Sequence, residues 1–291
     1  MQAIHTPYSD RWIDVEGCTI HYQIWSEDKK ELPGLLFVHG HGANAHWWDF
    51  IAPALMHEYR IAALDTSGAG DSGHRAAYST AQFVAEIMAV VEDAGFVDKC
   101  ILVGHSFGGR MARFAGHHYP DSFSAIVLAD SAISLPGRRT IFRIPEQAQR
   151  PTRLYRSRKE AARRFRLRPP QPCANGFIVN YIAEQSVKEV AGGWCWKLDQ
   201  RVFSKMADLS ATDLDPGDML RSMQCPIAII YGDESRFFDA KVRSYVNTLV
   251  DQDNAISIKD AHHHLFLDQP LLFISALRAL LTRIAHERIG L

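Results

Sequence analysis

Short runs of apolar, often β-branched residues recur along the chain, separated by stretches with helical spacing. One early run, TIHYQIW, alternates in polarity and predicts an antiparallel strand, and AISIKD predicts a last strand. The runs between them are continuously apolar, which is typical of parallel strands buried on both faces. These buried runs are GLLFVHG, RIAALD, CILVGHS, AIVLADS and IAIIYGD.

Two segments place apolar residues along one face of a helix. They are Phe83, Ile87, Val90 and Val91, and then Leu277, Leu280, Leu281 and Ile284, with Pro270 placed to begin the second helix. Because strands and helices alternate, we predict an α/β fold: a mostly parallel eight-stranded sheet with helices on both faces.

The alternation stops between about Ser134 and Ser210, which indicates an insertion. We therefore assign residues 1–133 and 211–291 to one core domain and residues 134–210 to the insertion. Part of the insertion, residues 138–168, is strongly basic. It holds twelve Arg or Lys residues against Glu146 and Glu160, a formal charge of +10.

Composition narrows the class of protein. The 291 residues carry a formal charge of −1, which argues against nucleic-acid binding, and the chain shows no apolar run of the roughly 18 residues that span a membrane. The first residues lack the apolar core of a secretory signal. Five scattered cysteines without a CxxC pair are typical of reduced thiols, so we expect a cytoplasmic protein.

The clearest chemical motif is GHSFG, from Gly104 to Gly108, a G-x-S-x-G pattern. A predicted strand precedes it and a helix is expected after it, which is the context that this motif requires. The sharp turn lifts the central serine above the sheet, and bulky side chains two positions away would collide with the neighbouring elements. Ser106 is therefore the candidate nucleophile.

A second glycine pattern, GAGDSG from Gly68 to Gly73, formally matches a dinucleotide-binding fingerprint. That fingerprint turns directly from a strand into a helix. Here Asp65, Thr66 and Ser67 intervene, and loop-like residues follow. We expect neither a nucleotide nor any other cofactor.

Four segments in this order resemble the α/β-hydrolase fold superfamily: FVHGHGANAHWW, DTSGAGDSG, GHSFGG and DAHHHLFLDQP. The resemblance covers nearly the whole chain apart from the insertion, which it implies is a helical cap over the active site. It also implies a catalytic triad of serine, histidine and an acid. The backbone N–H groups of His41 and Phe107 would then form the oxyanion hole.

The resemblance selects the histidine. In the family the catalytic histidine precedes an acid-Gln-Pro segment by a fixed short interval, and Asp268-Gln269-Pro270 places it at His263. His262 and His264 remain alternatives, since a shift of one residue would exchange them. Three consecutive histidines could also suggest a metal site. Adjacent residues do not easily converge on one ion, and no ligand pattern accompanies them, so no metal is expected.

The third member of the triad, the acid, has more than one candidate position. Most family members place it three residues after the glycine that ends the seventh strand, where this chain has Ser235. Other members, including certain ring-cleaving dioxygenases and amide hydrolases, take the acid from the end of the sixth strand, here Asp130. We predict Asp130 as the triad acid, with Asp233 as the alternative and then other positions such as Asp239.

These residues predict a hydrolase that cleaves a small carboxylic ester or related acyl compound. Trp47 and Trp48, next to the oxyanion loop, are candidate pocket residues. The basic insertion could attract an anionic substrate, or its arginines could pair with acids elsewhere. Carbon–carbon bond hydrolysis, cofactor-free oxygenation and a ligand receptor that retains the triad are the alternative functions.

Overall fold

The computed structural model describes residues 6–96, 99–137, 152–206 and 215–289. Its strands are β1 (Ser9–Val15), β2 (Cys18–Trp25), β3 (Gly34–Val38), β4 (Arg60–Leu64), β5 (Cys100–His105), β6 (Phe123–Ala129), β7 (Val187–Val190), β8 (Gly193–Trp196), β9 (Ile227–Gly232) and β10 (Ala255–Ile258). Its α-helices are α1 (Thr80–Asp93), α2 (Phe107–His118), α3 (Arg158–Ala162), α4 (Gly176–Gln185), α5 (Pro216–Ser222), α6 (Ala240–Val246), α7 (Leu265–Asp268) and α8 (Pro270–Ile289).

Eight strands of the described residues form one sheet in the order β1-β2-β4-β3-β5-β6-β9-β10. β2 pairs antiparallel with β1 and with β4, and every other neighbouring pair is parallel. The predicted α/β fold is confirmed. The sequence analysis missed β1, because an edge strand with mostly exposed side chains lacks the apolar pattern of a buried strand.

The central strands divide their side chains between two apolar cores. In β3, Leu36 and Val38 belong to one core, and Leu35 and Phe37 belong to the other. Helix α1 packs in the first core and α8 in the second, as their predicted apolar faces require. Burying one such aliphatic or aromatic side chain contributes roughly 1.5–3 kcal/mol, so the sheet is held from both sides.

The loop that carries the GAGDSG pattern does not lead into a helix. It follows β4, and α1 begins only at Thr80. Gly70 lies directly against the Asp65 carboxylate, which accepts the backbone N–H of Asp71 at 2.9 Å. The glycines therefore let the loop wrap around a buried aspartate.

The chain between β6 and β9 forms additional elements beside the sheet. Its described part contains α3, α4 and the β7–β8 hairpin. The sequence analysis expected helices here but did not predict the hairpin. The domain boundaries at 134 and 210 stay a prediction. Arg138, Arg139, Arg143 and Arg150 of the basic segment lie outside the described residues.

Across the described residues, no helix has both the length and the apolar composition that crossing a bilayer would require.

Candidate active site

Ser106 lies at the turn between β5 and α2. Its backbone angles are φ 53° and ψ −113°, a conformation that costs a non-glycine residue on the order of 1–3 kcal/mol. A Cβ on Gly108 would lie 2.3 Å from the Val38 carbonyl oxygen, and one on Gly104 would lie 2.6 Å from the Gly108 carbonyl oxygen. The two glycines thus allow helix and strand to approach closely enough to hold this strained turn.

His263 lies between Ser106 and Asp130. Its Nε2 is 2.9 Å from Ser106 Oγ, and its Nδ1 is 2.7 Å from Asp130 Oδ1. The histidine is 4% exposed and the aspartate is fully buried, whereas the serine is partly exposed. Three residues from distant parts of the chain therefore form a continuous hydrogen-bonded series that ends at an accessible hydroxyl.

Asp130 follows β6 and has a positive φ of 43°. Its Oδ2 accepts the Gly232 backbone N–H at 3.0 Å, and its Oδ1 accepts the Ser235 hydroxyl at 2.7 Å. The residue at the usual acid position is thus a serine that donates to the sixth-strand acid. The alternative acid, Asp233, has a different partner: its Oδ1 accepts the Ala261 backbone N–H at 3.3 Å.

Burial sets the protonation states of this series. Desolvation, aided by the positive charge of Arg236, lowers the pKa of His263 to about 3, so the imidazole is neutral near pH 7. Burial raises the pKa of the Asp130 carboxyl, while the Gly232 N–H and the Ser235 hydroxyl act in the opposite direction. A neutral ring whose Nδ1 faces a carboxylate presents Nε2 to the serine as a proton acceptor.

The two neighbouring histidines have other environments. His262 is part-exposed, and its Nε2 lies 2.9 Å from the Glu234 carboxylate. His264 is buried, its ring 5.3 Å from that of Trp47, and desolvation lowers its pKa well below the usual value. Of the three candidates, His263 is the one hydrogen-bonded to Ser106.

Ring nitrogens of His105, His263 and His264 lie within 4.8 Å of one another, a spacing at which a metal ion could be held. Both nitrogens of His263 are already hydrogen-bonded, to Ser106 and Asp130. A metal ion at this cluster would therefore compete with the hydrogen bonds of the serine.

One of the proposed oxyanion donors, the Phe107 N–H, directly follows Ser106 in the chain. Phe107 is the first residue of α2, so its N–H has no acceptor within the helix. A Cβ on Gly40 would lie 3.2 Å from Ser106 Cβ, which shows how close the loop before His41 comes to the serine. The His41 ring stacks on Phe203 at 3.9 Å, and desolvation lowers its pKa to about 4, so the ring is neutral near pH 7.

A cavity of about 640 Å³ lies next to this loop. Its lining includes His41, Trp47 and Phe203. Trp48 is not among the residues that line this cavity: its side chain is fully buried, and its ring stacks on Phe37 at 4.4 Å. Consecutive residues of a tight turn point in different directions, so one tryptophan reaches the cavity while the next fills the core.

The sequence analysis assigned no role to Ser235 or Phe203. Ser235 could have been found, because it occupies the position where the family's usual acid is expected. Phe203, which packs against the rings of His41 and Phe107, lies in a segment without any motif, so nothing in the sequence indicated it.

Comparison with known proteins agrees with this architecture. A family model described as alpha/beta hydrolase fold matches residues 33–270. A serine hydrolase-like protein of Danio rerio is 28% identical over 67% of this chain and 61% of its own length. The sn-1-specific diacylglycerol lipase ABHD11 of Mus musculus is 22% identical over 92% of this chain and 87% of its own.

The match spans less than two thirds of several curated relatives, for example 31% of epoxide hydrolase 4 of Mus musculus. Among solved structures, E-2-(acetamidomethylene)succinate hydrolase has a TM-score of 0.78 at 19% identity, covering 95% of this chain and all of its own. That likeness shows the fold alone. Together, the family model and the curated relatives support an enzyme of the hydrolase class.

Proposed function

The chain belongs to the α/β-hydrolase fold family, and we propose that it is a serine hydrolase that cleaves a small carboxylic ester or related acyl compound. The observation that carries this proposal is the hydrogen-bonded series from Asp130 through His263 to Ser106. The strained turn beneath Ser106 supports it as well, because such strain persists where the surrounding structure imposes it, often at active sites.

In the proposed reaction, Ser106 Oγ attacks the carbonyl carbon of the substrate while His263 Nε2 takes the hydroxyl proton. Asp130 keeps the ring in the tautomer with its proton on Nδ1 and stabilises the imidazolium that forms. The imidazolium then donates its Nε2 proton to the departing alcohol. Water, activated by the same nitrogen, hydrolyses the acyl-enzyme and restores Ser106.

The negative charge that develops on the carbonyl oxygen would be received by the backbone N–H groups of His41 and Phe107. Removing one donor of an oxyanion hole costs about 2.7–4 kcal/mol of transition-state stabilisation. The neutral His41 ring, packed on Phe203, fixes the loop that would present one of these donors. No cofactor enters any step of this scheme.

The substrate of this reaction is a small molecule that the cavity beside His41 would hold. The basic side chains of the cavity favour an anionic substrate over a cationic one.

The test is labelling with a fluorophosphonate, which reacts covalently with activated serines. We expect the wild-type protein to be labelled and Ser106→Ala not to be. Ser204→Ala is the matched control, since its hydroxyl is exposed and donates to the Arg201 carbonyl oxygen. Equal labelling of wild type and Ser106→Ala, or no labelling of either by a correctly folded protein, would overturn the proposal. If an ester substrate instead reacts only once and leaves its acyl group bound to Ser106, the protein would be a ligand receptor.

A further inference from the structure

The cavity beside His41 is lined by six cationic side chains. Five are arginines and one is a lysine: Arg153, Arg164, Arg166, Arg168, Lys197 and Arg236. They come from three separate parts of the chain, so the basic segment seen in the sequence is only one contributor. Their convergence on one cavity is a property of the fold.

Within the described part of the chain, few of these charges are neutralised nearby. None of the described residues that line the cavity is an aspartate or a glutamate. Among the described residues, Lys197 forms a salt bridge, to Asp71 at 2.5 Å, whereas no carboxylate lies within salt-bridge distance of the five arginines. This pattern argues against the simpler explanation that the arginines merely pair with acids of the core.

Two of the arginines act on the proposed catalytic groups themselves. The charge of Arg168 is close enough to His41 to contribute to the lowered pKa of that ring, and Arg236 contributes likewise at His263. Arg236 lies over the Phe237 ring at 5.1 Å, and Phe237 packs against His263 at 4.7 Å. The positive charge that lines the cavity therefore also acts on the ring of His263, the proposed base for Ser106.

The remaining lining provides apolar contact. Phe165 and Trp196 line the cavity with ring centroids 5.9 Å apart, and Trp47 lies 6.4 Å from Phe165. An apolar wall combined with cationic side chains suits a ligand with a short hydrocarbon body and an anionic end.

We propose that the physiological substrate is an ester carrying an anionic oxygen group, a carboxylate or a phosphate, that the cavity arginines bind while the scissile carbonyl faces Ser106. Guanidinium groups suit both anions, since their paired N–H donors match two oxygens. The proposal rests on the serine hydrolase function given above. It adds the charge of the substrate and the side chains that recognise it.

Three matched p-nitrophenyl esters test the charge preference: mono-p-nitrophenyl adipate, its methyl ester at the far carboxyl, and the ester of 5-phosphonopentanoate. The chains have similar length, so the comparison isolates the anionic end. We expect kcat/KM at low salt to be at least about tenfold higher for one or both charged esters. The preference should shrink as salt rises, because screening weakens interactions of exposed charges. Whichever charged ester has the higher kcat/KM shows whether the site prefers a carboxylate or a phosphate-like group.

Variants identify the side chains. Arg168→Gln and Arg236→Gln should each lower the ratio of kcat/KM for the preferred anionic ester over the methyl ester, by about three- to tenfold. Arg163→Gln is the control, since Arg163 is exposed on the same segment but does not line the cavity. Its ratio should equal that of the wild type.

The outcomes separate the two proposals. If all three esters are hydrolysed equally and Ser106→Ala abolishes each reaction, the hydrolase stands and the anionic substrate is refuted. If the ratio responds equally to the control and to both cavity variants, recognition by these arginines is refuted. If no ester is hydrolysed and Ser106 takes no fluorophosphonate, the hydrolase function itself fails.

Discussion

Replacing the proposed acid by its amide tests the triad at its most distinctive point. In Asp130→Asn, the amide oxygen should face the Gly232 N–H, because this backbone donor is fixed, whereas the Ser235 hydroxyl can rotate to accept and the His263 ring can change tautomer. The amide NH₂ group then points toward His263 Nδ1 and forces that nitrogen to accept. The ring proton moves to Nε2, and His263 can no longer take the proton of Ser106.

The size of the effect follows from this tautomer change. Loss of the orienting carboxylate in a serine triad lowers kcat by about 10⁴, or about 5.5 kcal/mol of transition-state stabilisation. Asp233→Asn should change kcat less than about threefold, since an amide oxygen can still accept the Ala261 N–H. Both effects follow from which donors each carboxylate meets.

The position of Ser235 allows a rescue. Its Oγ lies 2.7 Å from Asp130 Oδ1, the atom that faces His263. Adding Ser235→Asp to Asp130→Asn should place a carboxylate next to the His263 ring again. The double variant should then have a kcat about ten- to a hundredfold higher than that of Asp130→Asn. Ser235→Asp alone should destabilise the protein, because two carboxylates would share one buried site.

Steady-state hydrolysis of a p-nitrophenyl ester measures all four variants, with circular dichroism confirming that each is folded. A large loss in Asp233→Asn with little loss in Asp130→Asn would show that the acid is misassigned. A folded double variant no faster than Asp130→Asn would refute the inference that position 235 can supply the acid.

The strands and the two long helices were predictable because buried elements impose strict apolar patterns. Residues such as Phe83 and Leu277 face an apolar core, so apolar residues recur at helical spacing along each of these helices. Edge strand β1 and the β7–β8 hairpin were missed, since their exposed or half-buried residues are under no such constraint.

The site was predictable where chemistry restricts the residue type locally. The turn at Ser106 needs small neighbours, so glycines mark it in the sequence. The direction of Trp48 and the grouping of Arg236 with Arg168 depend on how distant segments pack. No local pattern encodes such packing.

Three further predictions concern stability. Gly108→Ala should unfold or inactivate the protein, as its Cβ would lie 2.3 Å from a backbone oxygen, whereas Gly176→Ala meets nothing within 4 Å and should leave the thermal midpoint unchanged or raised. Tyr181→Phe removes a hydroxyl that donates to the buried Asp49 carboxylate at 2.5 Å and should cost about 1–3 kcal/mol in urea unfolding. Burial lowers the pKa of His105 to about 3, so the folded state binds fewer protons than the unfolded state below pH 6.5. The free energy of unfolding therefore decreases as the pH is lowered. Relative to His105→Gln, the wild type should lose about 3 kcal/mol between pH 6.5 and pH 4, and parallel curves would contradict this.

The chain between β6 and β9 is hydrogen-bonded to the loop that follows His41, which bears on how the enzyme would work. Asn44, three residues after His41, donates to the Ser186 hydroxyl at 3.0 Å, and Tyr181 of α4 donates to Asp49 just beyond. The loop that would present an oxyanion donor is thus hydrogen-bonded to α4 and to Ser186, which lines the cavity. Any shift of α4 that accommodates a substrate must move or strain this loop. Substitutions in α4 should therefore change kcat as well as KM, whereas a lid without these contacts would change KM alone.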